Sequence, residues 1–199
     1  MFYINPLIKG FFMVFNLITL YRILNFKKMK KLINLFAILF STLIFAQVST
    51  TRINDFKLGM KKSELEKIIG KSINVKMPDG YQVDAANVVY KGVVYEVYFS
   101  NEYDDNGNQL KDMQLSSVKS KDKSLKTLSG IGIGSTLSEL IEKYKDNNIE
   151  ISDSWDYNGN RTKTTRYFNI NDYDAGTYLH ITLKNGRVTE FYVGYNEGC

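Results

Sequence analysis

Two stretches of this chain alternate with a period of two. Val93, Tyr95, Val97 and Phe99 interleave with Val94, Glu96 and Tyr98, and Leu179, Ile181 and Leu183 interleave with Tyr178, His180 and Thr182. A period of two puts one set on a buried sheet face and the other on a wetter one. Asn185-Gly186 follows the second stretch, and a pair of this kind supplies the two positive φ angles of a type I′ turn, so a hairpin with 187–195 is predicted. Weaker alternation predicts strands over 73–77, 81–90, 112–118, 148–155 and 163–170, with turns at Asn106-Gly107 and Asn158-Gly159. Elsewhere the period changes. Leu137, Leu140, Ile141 and Tyr144 fall at i, i+3, i+4 and i+7, a helical apolar stripe, and Thr136-Leu137-Ser138-Glu139 fits a capping box in front of it. Leu65, Ile68 and Ile69 repeat that spacing in a second short helix, where Lys61 stands in place of the capping threonine.

Both helices open on one phrase. Phe56-Lys57-Leu58-Gly59-Met60-Lys61-Lys62-Ser63-Glu64-Leu65 returns 75 positions later as Ile131-Gly132-Ile133-Gly134-Ser135-Thr136-Leu137-Ser138-Glu139-Leu140. A phrase repeated at that distance indicates a duplicated supersecondary unit. The expected architecture is therefore α+β: two tandem helix-plus-antiparallel-sheet repeats, over residues 51–127 and 128–199.

Charge changes the picture once its position is considered. The chain carries 26 basic and 21 acidic side chains, but residues 1–46 hold six of the basic ones and no acidic one. The remainder is close to −1, so the excess positive charge is not the footprint of a nucleic-acid-binding domain. Met29-Lys30-Lys31 followed by the apolar run 32–46, ending in Ala46, has the layout of a secretory signal. Residues 29–46 are expected to direct export, and 1–28 to be an extension upstream of the true start. The run of 15 is short for a membrane span, so cleavage and a periplasmic or secreted destination are expected. The one cysteine, Cys199, cannot close an internal disulfide and reads as a thiol on a loosely held tail.

Candidate chemistry is sparse. His180 is the only histidine, no nucleophile-elbow pattern accompanies it, and one His with one Cys cannot build a zinc site. Glu102, Asp104, Asn106 and Gly107 have the spacing of half a calcium loop, but the closing position is Met113 beside Asp112, and a polar turn on Asp105-Asn106-Gly107 accounts for the same residues. The stretch Gly130-Ile131-Gly132-Ile133-Gly134 lacks the Lys-Ser/Thr ending of a phosphate loop and reads as a turn into the second helix. No catalytic residue, metal or cofactor is expected. What remains is aromatic: 12 tyrosines lie after residue 46. Tyr98, Tyr178 and His180 should share the wetter sheet face, joined by Tyr192 or Tyr195, and Tyr suits recognition because it buries a large rigid area and keeps a polar tip.

The phrase at 56–71, with its echo at 131–145, resembles the helix entry of a fold group that holds the SmpA/OmlA outer-membrane assembly components and the tandem-repeat β-lactamase inhibitory proteins. The resemblance implies a helix-then-antiparallel-sheet unit, β-lactamase-inhibitory-protein-like, that binds other proteins through its sheet face or loops. The chain departs from those families in having neither a lipid-attachment cysteine nor paired cysteines. The resulting expectation is an exported, non-catalytic protein-binding module of inhibitor or envelope-assembly type, using Tyr98, Tyr178, His180, Tyr192 and Tyr195. Its partner would be another protein in the envelope or outside the cell. A small-molecule-binding or calcium-binding envelope protein is the alternative.

Overall fold

A computed structural model describes residues 47–75, 85–156 and 158–196. The elements in order are β1 (Gln47–Val48), β2 (Arg52–Ile53), β3 (Phe56–Lys57), α1 (Lys62–Ile69), β4 (Ala86–Tyr90), β5 (Val93–Tyr103), β6 (Gln109–Ser120), β7 (Lys126–Thr127), α2 (Leu137–Tyr144), β8 (Ile149–Trp155), β9 (Arg161–Asp172), β10 (Thr177–Lys184) and β11 (Arg187–Tyr195). The proposed signal and upstream extension, residues 81–84 of the weak strand at 81–90, and Cys199 lie outside the described residues.

Seven strands form one antiparallel sheet in the order β4-β5-β6-β11-β10-β9-β8, and four very short ones form a second, β3-β2-β1-β7. This overturns the expected α+β pair of helix-plus-sheet repeats. The described residues are mostly β, with two helices of eight residues each. The reason lies in the seam. β6, from the first half of the chain, pairs with β11 from the second, with Ser117, Val118, Lys119 and Ser120 opposite Gly194, Val193, Tyr192 and Phe191. Two strands that each need a ladder partner find one another, so the halves merge into one sheet instead of closing two.

Alternation decides the layering. Tyr95, Val97 and Phe99 of β5, Phe168 of β9, Ile181 of β10 and Phe191 of β11 are buried on one face. Phe56 of the small sheet stacks on Tyr95 at 4.0 Å between ring centroids, and Tyr144 of α2 lies 6.3 Å from Phe168. Both helices bring a wholly buried leucine to the core, Leu65 and Leu140. Helices this short do not persist alone; burying one Leu at roughly 1.5–3 kcal/mol fastens each. Ile141, expected on the buried stripe, is instead exposed. Every described core side chain falls between Val48 and Val193.

The repeated phrase encodes a local device. Gly59 donates to the Leu115 carbonyl and Leu115 donates back to Met60; Gly134 donates to the Val188 carbonyl and Val188 donates back to Ser135. Both glycines have positive φ, +77° and +94°, where a Cβ is disfavoured. Each phrase thus hooks a helix entry onto a strand of the large sheet. The capping box on Thr136 forms as expected. At α1, Lys61 caps nothing; Asp112 on β6 accepts from the Ser63 backbone and hydroxyl instead.

Candidate functional site

The helices and the small sheet pack on one face of the seven-stranded sheet. Its other face presents side chains in rows that cross the strands. One row runs Glu96, Lys119, Tyr192, His180, Asn169, Glu150, each opposite the next on the neighbouring strand. The adjacent row runs Tyr98, Ser117, Gly194, Tyr178, Asn171. A third holds Glu190, Thr182, Tyr167 and Ser152.

Tyr98, Tyr178, His180 and Tyr192 are therefore brought together on this face, half-buried. Tyr195 is not. Its position on β11 alternates to the opposite face, and its hydroxyl reaches the helix-entry turn, 2.9 Å from where a Gly59 Cβ would stand. The expectation for Tyr195 is corrected by parity alone: it follows Val193 on the core side, whereas Tyr192 falls on the other.

Small residues shape the surface. A Cβ on Gly194 would come within 2.9 Å of Tyr192 Cε1 and 3.1 Å of its hydroxyl oxygen, so the Tyr192 ring lies over the glycine. It meets Tyr178 at 5.8 Å and the His180 ring at 6.2 Å. His180 Nδ1 is 2.7 Å from Asn169 Oδ1, and its ring is 4.8 Å from that of Tyr167. Ser117, between Tyr98 and Gly194 in the row, is buried. Three strand spacings separate Tyr98 from Tyr178, roughly 14 Å, and the small Ser117 and Gly194 stand between them in the row.

Charges border the aromatic rows. The Tyr98 hydroxyl donates to Glu96, and Lys119 Nζ bridges to Glu96 at 3.0 Å. Burial and that bond to Glu96 raise the Tyr98 phenol above its ordinary value. For Glu96, burial pushes upward, but the bonds from Tyr98 and Lys119 outweigh it and hold the carboxyl low. Burial holds the His180 imidazole below its ordinary value, against a weaker pull from Glu190. Beside this edge an open depression of about 370 Å³ is lined by Asn87, Val94, Glu96, Lys119, Lys121 and Glu190, among others.

The carboxylates of the half calcium loop are engaged elsewhere. Glu102 pairs with Lys61, Asp112 caps α1, and Asp104 accepts from the Asn106 and Asn108 backbones and the Asn108 amide. Asp156 makes the same bonds to Asn158 and Asn160, so the two long hairpins turn on one Asp-x-Asn-Gly-Asn design. Among the described residues no group of three His, Cys, Asp or Glu converges as a metal site would require.

Sequence reasoning missed Glu96, Lys119, Asn169, Tyr167 and Gly194. An isolated glycine inside a strand signals close approach of another group, so Gly194 carried a usable signal. Lys119 and Asn169 carried none, because their place depends on the β6–β11 and β9–β10 pairings. No helix among the described residues is long and apolar enough to cross a membrane. No protein-family model, curated protein or solved structure matches this chain.

Proposed function

We propose that this chain is a non-catalytic, exported module that binds another protein through the open face of its large sheet. The partner would be a protein of the envelope or of the exterior. The observation that carries the reading is the placement of Tyr98, Tyr178, Tyr192 and His180 on the face that neither helix nor the small sheet covers. Rigid aromatic side chains with polar tips give large contact area at small conformational cost. The Glu96–Lys119 and Lys121–Glu190 pairs at its edge are self-neutralised, which suits a polar rim around an aromatic centre. The test uses purified residues 47–199 as bait against envelope and secreted fractions, with a Tyr98→Ala/Tyr192→Ala variant of unchanged melting temperature alongside. One protein held by the parent and lost by the variant supports the proposal; equal retention by both removes this face from it.

One feature favours the second reading, a small-molecule site: the depression beside Val94, lined by Glu96, Lys119, Lys121 and Glu190, offers donors, acceptors and an apolar floor together. A ligand there would raise the melting temperature of residues 47–199 in proportion to the logarithm of its concentration, and Val94→Asp would abolish the shift.

A further inference from the structure

β8 is the last strand of the large sheet, and among the described residues nothing pairs with its outer side. Its register fixes which backbone groups face outward. Asn171 donates to the Asn148 carbonyl at 2.9 Å, and Ile149 lies opposite Ile170. In an antiparallel ladder bonded and non-bonded pairs alternate, so Glu150 and Ser152 bond inward to β9. Ile149, Ile151 and Asp153 turn their N–H and C=O groups to the free edge. A strand of seven residues is of ordinary length for pairing. It contains neither of the residues that most often blunt an edge, proline and lysine. Ile151, at its centre, is 42% exposed, and Trp155 at its end is 62% exposed.

We propose that β8 is a pairing edge for a second copy of this chain, the two strands running antiparallel about a two-fold axis through Ile151. The sequence of β8 is complementary to itself in that register. Ile151 meets Ile151 of the other copy, Glu150 meets Ser152, and Ile149 meets Asp153. No like charges oppose, and Asp153 is already neutralised within its own chain by Arg166 at 3.1 Å and Arg161 at 3.7 Å. A slip of one residue in either direction sets Ile151 against a residue of the other sheet face, Ser152 or Glu150, and in one direction also opposes Glu150 and Asp153. The contact makes one sheet of fourteen strands from two of seven, leaves the tyrosine face open on both copies, and does not depend on what that face binds. One strand edge buries less than a standard interface, so the pairing is weak and rises with concentration.

The experiment is sedimentation equilibrium of residues 47–199 from low to high micromolar concentration. The expected result is a weight-average mass climbing toward twice that of the monomer. Ile151→Lys and Ile151→Glu each place like charges on the axis and hold the mass at the monomer value. An equimolar mixture of the two variants brings lysine against glutamate and restores the climb, which a folding defect could not do. A parent that stays monomeric throughout, a dimer that survives either substitution, or a mixture that stays monomeric overturns the proposal.

Discussion

His180 shows how far one side chain depends on strands distant in sequence. Its imidazole sits between Tyr167 and Tyr192 and bonds Asn169. Burial holds its pKa below the ordinary value, so the unfolded chain takes up a proton more readily than the folded one. The stability this contributes is complete above the unfolded value of about 6.5. It falls as the pH drops from there through the lower folded value, and then levels off. Melting temperatures between pH 7.5 and 5 should decline for the parent and stay flatter for His180→Gln, since a neutral amide does not titrate. An equal decline in both would mean that another group is responsible. Gly194 yields a second expectation at this scale. The atoms that a Cβ would meet are the far end of the Tyr192 ring, which can swing away. Gly194→Ala should therefore change stability by under about 1 kcal/mol in urea titration while shifting the near-ultraviolet circular dichroism of the tyrosines. A loss of several kcal/mol would show that the ring is held rigidly. Alternation put His180 on the wetter face but left Tyr192 and Tyr195 as alternatives beside it, and the register of β11 on β10 decides for Tyr192. That Asn169 meets His180 could not, because nothing local to either residue names the other.

The two helices test how local a helix start is. At α2 the capping box on Thr136 is written into four consecutive residues, and it forms as written. At α1 the corresponding Lys61 is turned toward Glu102, and the exposed amide of Ser63 is met by Asp112, 49 residues away. The Ser63 hydroxyl and backbone hold the Asp112 carboxyl below its ordinary value, although partial burial opposes them. Replacing either cap should cost a similar amount, about 1 kcal/mol within a range of roughly 0.5–2, although only one is visible in its helix. Urea unfolding of Thr136→Ala and Asp112→Ala measures both. If Asp112→Ala is neutral, then water serves the Ser63 amide as well as the carboxylate does. The strands follow the same division. β8 and β10 match their alternating stretches closely, while β6 and β9 extend beyond the segments that suggested them, because ladder bonds to neighbours carry strands through polar residues such as Lys111 and Arg161.

At the scale of the molecule, the repeated phrase pointed to two units, and the structure joins strands of both halves in one seven-stranded sheet. A local signal reports what is duplicated, here a helix entry hooked on a strand, and is silent on whether the strands that follow close separately. The deciding contact is the β6–β11 seam, with Val118 opposite Val193 in the core and Lys119 opposite Tyr192 on the open face. A seam with core side chains across it couples the halves, so unfolding either exposes apolar surface of the other. Residues 47–199 should melt in one transition with a van't Hoff enthalpy equal to the calorimetric one. At about 0.7 kcal/mol per residue near 60 °C, that is roughly 100 kcal/mol, against about half as much for each of two independent repeats. Val193→Asp should collapse both halves together, since a carboxylate buried on the seam has no partner to meet it. Two resolved transitions in the calorimeter, or a Val193→Asp variant in which residues 47–127 keep their own melting step, would instead mean that the seam joins two bodies able to stand apart. The one-sheet reading would then describe geometry without cooperativity.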